Sequence, residues 1–299
     1  MADLIVLVYR EIRGKRMRFF EQVNVAVIVD KYGKSVISSS VYLDRNQEIR
    51  GYIMADTESC LIQDAWCETV KSPDTGRTGI VSLDFMRGVN GHIDGKRKVS
   101  GILKNSYAPE IRYLMIQCIN GLIQAESYFY KERGFKSREH YDEYWDILEN
   151  NGCRMYSYPS ENDLRWMDYI PQYERKRLLF SRFKNFEIEQ NGDLCKGRGR
   201  FIDSYHELYA EITFDSNSGL LGKCDISYVR APGESCFSNA SHGRKLEGTK
   251  LSELTDRHIV CMFGRSEGCY HLVEILKDLL NLLRQISGRT REQKGARDV

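Results

Sequence analysis

Three residues in the second half of this 299-residue chain have side chains that can bind a metal ion or carry out thiol chemistry. His206 opens an alternating stretch that predicts a strand, Cys236 follows the next predicted strand, and Cys269 stands where an apolar helix begins. Strand ends and helix starts can gather at one edge of an α+β domain. Imidazole and thiolate are donors for zinc and for iron–sulfur clusters. The sequence therefore predicts a metal site at His206, Cys236 and Cys269 that holds zinc or an iron–sulfur cluster.

The same residues allow two other interpretations. A cysteine at a helix N-terminus is a candidate nucleophile, because the helix dipole and free N–H groups lower the pKa of a thiol. In an enzyme of this kind Cys269 would attack the substrate and His206 would be the general base. The sequence shows no oxyanion-hole signature and no third orienting group, so we expect a binding protein rather than an enzyme. A structural or protein-interaction module without any site is the remaining alternative.

Other cysteines and histidines are expected to be structural. The chain has nine cysteines and no Cys-x-x-Cys motif, which argues against a disulfide framework and a zinc ribbon. Cys118 falls in an apolar helical run, and Cys261 falls in segment 258–263, which we predict to be a strand. His271 is two residues from Cys269, and on a helix it would point away from it.

The chain also contains a weak internal repeat, which separates the candidate site from the first half. Residues 16–77 align with 175–236 at a spacing of 159 without a gap. Aspartates recur in this register, Asp44 matching Asp203 and Asp56 matching Asp215. His206, Cys236 and Cys269 have no metal-binding counterpart in the first copy. The repeat predicts a tandem duplication in which only the second copy keeps the site.

Periodicity predicts the architecture of each copy. Asn191-Gly192 between strand-like runs is a hairpin signal, and the first copy has a matching turn at 31–34. A wide apolar stripe predicts a last helix over 268–286, and Pro109 suits the first turn of its counterpart. The expected fold class is α+β, with two tandem copies of a small, mainly antiparallel sheet backed by helices. The predicted boundaries are a degenerate first repeat (1–130), a connector with a helix at 138–149 (131–174), a second repeat carrying the site (175–287) and a disordered tail (288–299).

Charge and hydropathy limit the partners. A net charge of +2 gives no reason to expect nucleic acid or a membrane surface as a partner, and no apolar run approaches the ~20 residues of a membrane span. The apolar run at 4–8 is too short for the core of a signal peptide. We therefore expect a cytoplasmic protein, for which a protein partner remains open.

The second copy resembles a bacterial domain family of unknown function. Its members carry an early strand pair, a histidine opening the next strand, an Arg-x-Pro segment leading to a cysteine, and a Gly-Cys-x-His-Leu start to the last helix. The matching positions here are His206, Arg230-Ala231-Pro232, Cys236, Gly248 and Gly268-Cys269-Tyr270-His271-Leu272. The resemblance spans about 175–286, with Phe237 where a proline is usual, and it implies no activity.

The layout is more distantly similar to NifU-type iron–sulfur cluster scaffolds. That resemblance implies ligands at a strand start, after the following strand and at the start of a late helix, which here are His206, Cys236 and Cys269. His206 stands where the scaffolds have a Cys-Gly-Asp segment, and Gly268 replaces their histidine before the last cysteine. The resemblance therefore implies a metal site, a sulfur-handling thiol, or a retained fold with a different role.

Overall fold

One antiparallel sheet with helices packed on one of its faces makes up the described part of the chain. The computed structural model describes residues 15–30, 33–72, 78–104, 109–171 and 177–295. The strands are β1 (Lys15–Asp30), β2 (Gly33–Asp44), β3 (Glu48–Asp56), β4 (Ile62–Lys71), β5 (Gly79–Ser82), β6 (Leu178–Asn191), β7 (Leu194–Asp203), β8 (Glu207–Asp215) and β9 (Leu221–Arg230). The α-helices are α1 (Ile93–Lys104), α2 (Pro109–Ala125), α3 (Arg138–Leu148), α4 (Arg154–Ser157), α5 (Trp166–Tyr169), α6 (Glu234–Phe237), α7 (Asp256–Phe263) and α8 (Tyr270–Gly295).

The strand order is β5-β4-β3-β2-β1-β6-β7-β8-β9. Each half is a meander, and the halves join where β1 pairs antiparallel with β6, so that Glu21 lies opposite Lys184. The expected α+β class with a mainly antiparallel sheet is confirmed. The expectation of one small sheet per copy needs a correction, because the β1–β6 junction makes the two meanders one nine-stranded sheet.

Helices cover one face of this sheet. Residues along β3 and β8 alternate between buried and half-buried, which is the period-two pattern of strands with one covered face. Helix α2 packs on β1–β3 and α8 on β6–β8. Gly121 of α2 lies so close to β1 that a Cβ there would be 2.8 Å from Val23 Cγ1. The absence of a side chain at Gly121 is therefore what lets α2 approach the sheet.

Equivalent turns in the two halves share their hydrogen bonds. Asp56 and Asp215, which are 159 residues apart, each use Oδ1 to accept backbone N–H bonds from the residues two and three positions ahead. Asp44 and Asp203, at the same spacing, do so in the preceding turn. Capping of this kind fixes a turn independently of tertiary packing. The aspartates that match in the sequence therefore occupy matching positions in the sheet.

Segment 258–263 forms a helix rather than the predicted strand. It lies within α7, where the Thr255 hydroxyl caps the N-terminus by accepting from the His258 N–H. A short apolar run fits either element, and here the cap decides between them. Cys261 is consequently exposed on a helix instead of lying in a buried strand.

The last helix is longer than predicted. The helix expected over 268–286 is α8, which continues to Gly295 and so includes most of segment 288–299, for which the sequence predicted disorder. Arginine, glutamine, glutamate and lysine are good helix formers and carry the helix beyond its apolar stripe. Residues 296–299, the apolar run at 4–8 and the first two residues of the 31–34 turn lie outside the described residues. Among the helices that are described, none combines the length and apolar character that a membrane span requires.

Candidate metal site

A cavity of about 70 Å³ lies between the second meander, the connector and α2. Its polar lining includes Cys153, His206, Cys236, Cys269 and His271. Its aromatic lining consists of Tyr141, Trp145, Tyr156 and Trp166. The three residues singled out in the sequence therefore line one cavity, in a part of the fold to which both halves contribute.

Each predicted residue reaches the cavity from an element boundary. His206 directly precedes β8, Cys236 lies in the short helix α6, and Cys269 directly precedes α8. Both thiols are buried, with Cys236 at 4% and Cys269 at 3% exposure. The strand and helix ends that carry these residues therefore meet around one cavity, as the sequence predicts.

Asp203 orients His206. Its Oδ1 accepts the His206 backbone N–H at 2.6 Å and lies 3.1 Å from His206 Nδ1. In the tautomer that donates this second bond, the lone pair of the imidazole is on Nε2. A carboxylate behind a histidine is the usual support for a metal-binding imidazole. Burial opposes ionisation of Asp203, but the nearby imidazoles of His206 and His271 and the guanidinium of Arg182 hold the pKa of Asp203 well below its usual range.

His271 belongs to this cluster, although the sequence indicated that it would point away. Its ring centroid lies 3.9 Å from that of His206, and its Nδ1 is 4.0 Å from Cys269 Sγ. Cys269 precedes the first helical residue, Tyr270, so helical angles do not separate the two side chains. Burial lowers the pKa of His271 to about 3, with help from His206, so its imidazole is neutral at physiological pH.

Two buried polar atoms in the cluster have no hydrogen-bond partner among the residues that the structure describes. These are His271 Nε2 and Asp203 Oδ2, which are 3.9 Å apart, beyond hydrogen-bond distance. Such atoms are uncommon in folded proteins and often mark a site of function. One donor atom each from Asp203, His206 and His271 lie within 4.8 Å of one another. This spacing allows carboxylate and imidazole groups to surround a single ion.

Three thiols line the same cavity beside this cluster, although within the described residues no thiol sulfur belongs to a group of three donor atoms as closely spaced as those of Asp203, His206 and His271. Burial raises the pKa of Cys153 to about 12 and raises the pKa values of Cys236 and Cys269, and each thiolate would repel the others. The nearby Tyr228 hydroxyl and, to a smaller extent, backbone N–H groups at the start of α8 only partly offset this effect on the Cys269 pKa. Burial thus overrides the lowered thiol pKa that the sequence suggested for Cys269. Neutral thiols are poor nucleophiles, whereas a bound metal ion displaces their protons.

A chain of buried charges runs from Asp203 to the β1–β6 junction. Lys184 Nζ lies 2.8 Å from Asp278, 2.9 Å from Glu274 and 3.1 Å from Glu21. Arg182 is 3.5 Å from Glu274 and 3.7 Å from Asp203. Within the described residues, this chain contains four carboxyl groups and two cations. The carboxyl groups outnumber the cations even when Glu21 is protonated, as burial favours, and this excess favours a cation at the Asp203 end.

Cys153 and Asp203 were not identified from the sequence. Cys153 comes from the connector, which has no counterpart in the repeat, and its spacing from Cys236 forms no known motif. Asp203 did carry a signal, because it is one of the repeated aspartates. Its bond to His206 could have been inferred from the turn that it caps.

Part of the chain is similar to a known protein family. Residues 190–285 match the model of a family described as a protein of unknown function, DUF2889. No curated protein and no solved structure matches the chain. The expected resemblance to a family of unknown function is therefore confirmed, while similarity to NifU-type scaffolds is not shown. The matched segment covers less than half of the chain and includes His206, Cys236, Cys269 and His271.

Proposed function

We propose that this chain is a metal-binding protein and that its site is the cavity between the second meander and the connector. The observation that carries the proposal is the convergence of His206, Cys236 and Cys269 on one cavity, where all three side chains are buried. The orientation of His206 by Asp203 and the acidic excess of the buried charge chain support it. Zinc is the favoured ion, since tetrahedral sites of mixed imidazole and thiolate donors are typical of zinc.

An iron–sulfur cluster uses similar donors, and the absorption spectrum distinguishes the two cofactors. The protein should be purified without oxygen and without a metal-chelating tag, then analysed for zinc, iron and acid-labile sulfide. We expect about one equivalent of zinc and no visible absorption. If the protein is coloured and contains iron with acid-labile sulfide, the site is in the proposed place but holds an iron–sulfur cluster instead of zinc.

Substitutions test whether these residues bind the metal. The double variant Cys236→Ser/Cys269→Ser should lose the metal while circular dichroism shows a retained fold. Cys261→Ser, which changes an exposed thiol on α7, is the matched control and should keep full occupancy. The proposal is wrong if the wild-type protein neither contains nor takes up zinc, cobalt or iron. It is also wrong if the double variant keeps its metal.

One observation favours a cysteine-nucleophile enzyme as a second candidate. Asp203, His271 and Cys269 stand in the order carboxylate, imidazole and thiol, separated by 3.9 and 4.0 Å. In such an enzyme His271, rather than His206, would be the general base. Iodoacetamide at neutral pH tests this, because a catalytic Cys269 should react faster than the exposed Cys261. We expect the reverse order, given the burial of Cys269.

We also infer that the two halves arose by duplication of one α+β unit. The constant spacing of 159 between the capping aspartates and the equivalent strand order of the two meanders support this inference. The first half would then have lost the site and kept the fold. Its α2 contributes Ile123 and Gln124 to the wall of the cavity. The nine free cysteines suit a reducing compartment such as the cytoplasm.

A further inference from the structure

Cys153 lies outside the segment that matches the family, yet its side chain lines the same cavity as Cys236 and Cys269. It is the residue directly before α4 in the connector between the halves. Neither the repeat nor the matched segment accounts for a thiol at this position. Its role must therefore be argued from the contacts around it.

The backbone holds the connector against both second-half cysteines. The N–H of Arg154, which follows Cys153, donates to the carbonyl of Gly268, which precedes Cys269, at 2.9 Å. This bond places the two cysteines on facing, hydrogen-bonded segments that line one cavity.

A second set of bonds acts beside Cys236. Asn162 Oδ1, in the connector, accepts the N–H of Ser235 at 3.2 Å and its hydroxyl at 2.9 Å. Glu267, just before the α8 start, pairs with Arg154 at 3.1 Å and accepts a hydrogen bond from Tyr158. The connector is thus fastened next to each of the other two thiols.

We infer that Cys153 is the fourth ligand of the site, an inference that rests on the proposed function. The donor set is then Cys3His, made up of Cys153, Cys236, Cys269 and His206. Four protein ligands fill a tetrahedral zinc site and leave no position for a substrate. The ion is therefore structural, and it fastens the connector to the second half. His271 then acts as a positioning residue between Asp203 and the Cys269 sulfur.

Cobalt(II) is the probe for this inference, because the intensity of its thiolate charge-transfer absorption follows the number of bound sulfurs. The full chain is freed of metal under reducing conditions and titrated with cobalt(II). We expect Cys153→Ser to lower the band intensity by about one third, because one of three thiolates is lost. It should also weaken zinc binding at least about tenfold, since loss of a residue that merely supports a metal ligand already costs about 10–100-fold. Cys261→Ser is the matched control, and His271→Gln should keep the full band intensity.

Proteolysis gives an independent measurement. Zinc should slow trypsin cleavage within 131–174 in the wild-type protein and fail to do so in Cys153→Ser. If Cys153→Ser keeps the wild-type band and protection while Cys236→Ser loses both, the metal site stands and the role of Cys153 is refuted. If the band falls in His271→Gln but not in Cys153→Ser, His271 is the fourth ligand instead. If the wild-type chain binds no cobalt, the proposed function itself fails.

Discussion

The ion pair at the β1–β6 junction predicts that Glu21 contributes less to the stability of the fold as pH rises from 5 to 8. Glu21 and Lys184 lie opposite each other in the register, and both side chains are 0% exposed. Burial raises the pKa of Glu21 to about 7 from an ordinary value of 4.5, although Lys184 opposes this effect. Glu21 thus prefers to be protonated in the folded state.

The direction and the magnitude of this pH dependence follow from proton linkage. Between pH 4.5 and 7 the unfolded chain releases the Glu21 proton while the folded chain retains it, so the free energy of unfolding falls as pH rises. A displacement from 4.5 to about 7 corresponds to at most about 3 kcal/mol at alkaline pH. The raised pKa of Asp278 adds to this loss, whereas the pKa of His271, which burial lowers from 6.5 to about 3, makes the free energy of unfolding rise with pH up to about pH 6.5. The lowered pKa of Glu274 acts mainly below its ordinary value of 4.5 and so outside this range.

Glu21→Gln isolates the contribution of Glu21. Glutamine resembles the protonated carboxyl, so the variant should lose less stability than the wild type between pH 5 and 8, and should be the more stable protein at pH 8. Urea unfolding followed by circular dichroism at both pH values measures the difference. Glu143→Gln, at an exposed position on α3, should retain the wild-type pH dependence. Parallel profiles for Glu21→Gln and wild type would refute the reasoning.

Two further substitutions test the packing around this junction. Lys184→Met removes the cation that Glu274 and Asp278 contact. At pH 8 it should lower the free energy of unfolding by about 3–5 kcal/mol in urea titrations, because the buried carboxylates lose their partner. An unchanged free energy of unfolding would contradict the ion-pair argument. Gly121→Ala should lower the free energy of unfolding by about 1–3 kcal/mol in urea titrations, because its Cβ has too little space beside β1. Gly101→Ala in α1 has free space around its Cβ and should be neutral or stabilising in the same titrations.

Local patterns in the sequence predicted most elements of the fold. Alternation of polar and apolar residues located the strands of the second half, and Asn191-Gly192 located their first turn, where Gly192 has a φ of +60°. Pairing of β1 with β6 was not predictable, because strand periodicity identifies a buried face but does not say which edges meet. Segment 258–263 was misassigned because its cap, Thr255, lies outside the apolar run.

The candidate site was predictable only where local structure determines the position of a residue. His206, Cys236 and Cys269 stand at element ends, and their placement follows from local structure that the sequence encodes. His271 was misjudged because the helix begins at Tyr270, two residues later than predicted, and helical geometry does not yet apply at Cys269. Cys153 enters the cavity through tertiary packing of the connector, which no local pattern reports.

The pairing of β1 with β6 also bears on aggregation. Separated halves would each present a long edge strand, of 16 residues in β1 or 14 in β6, whose free N–H and C=O groups are a template for pairing with other chains. In the intact chain these two edges satisfy each other. The outer edges are less hazardous, because β5 has only four residues and β9 presents charged side chains. Joining both halves in one polypeptide therefore protects the edges that would otherwise be most prone to intermolecular association.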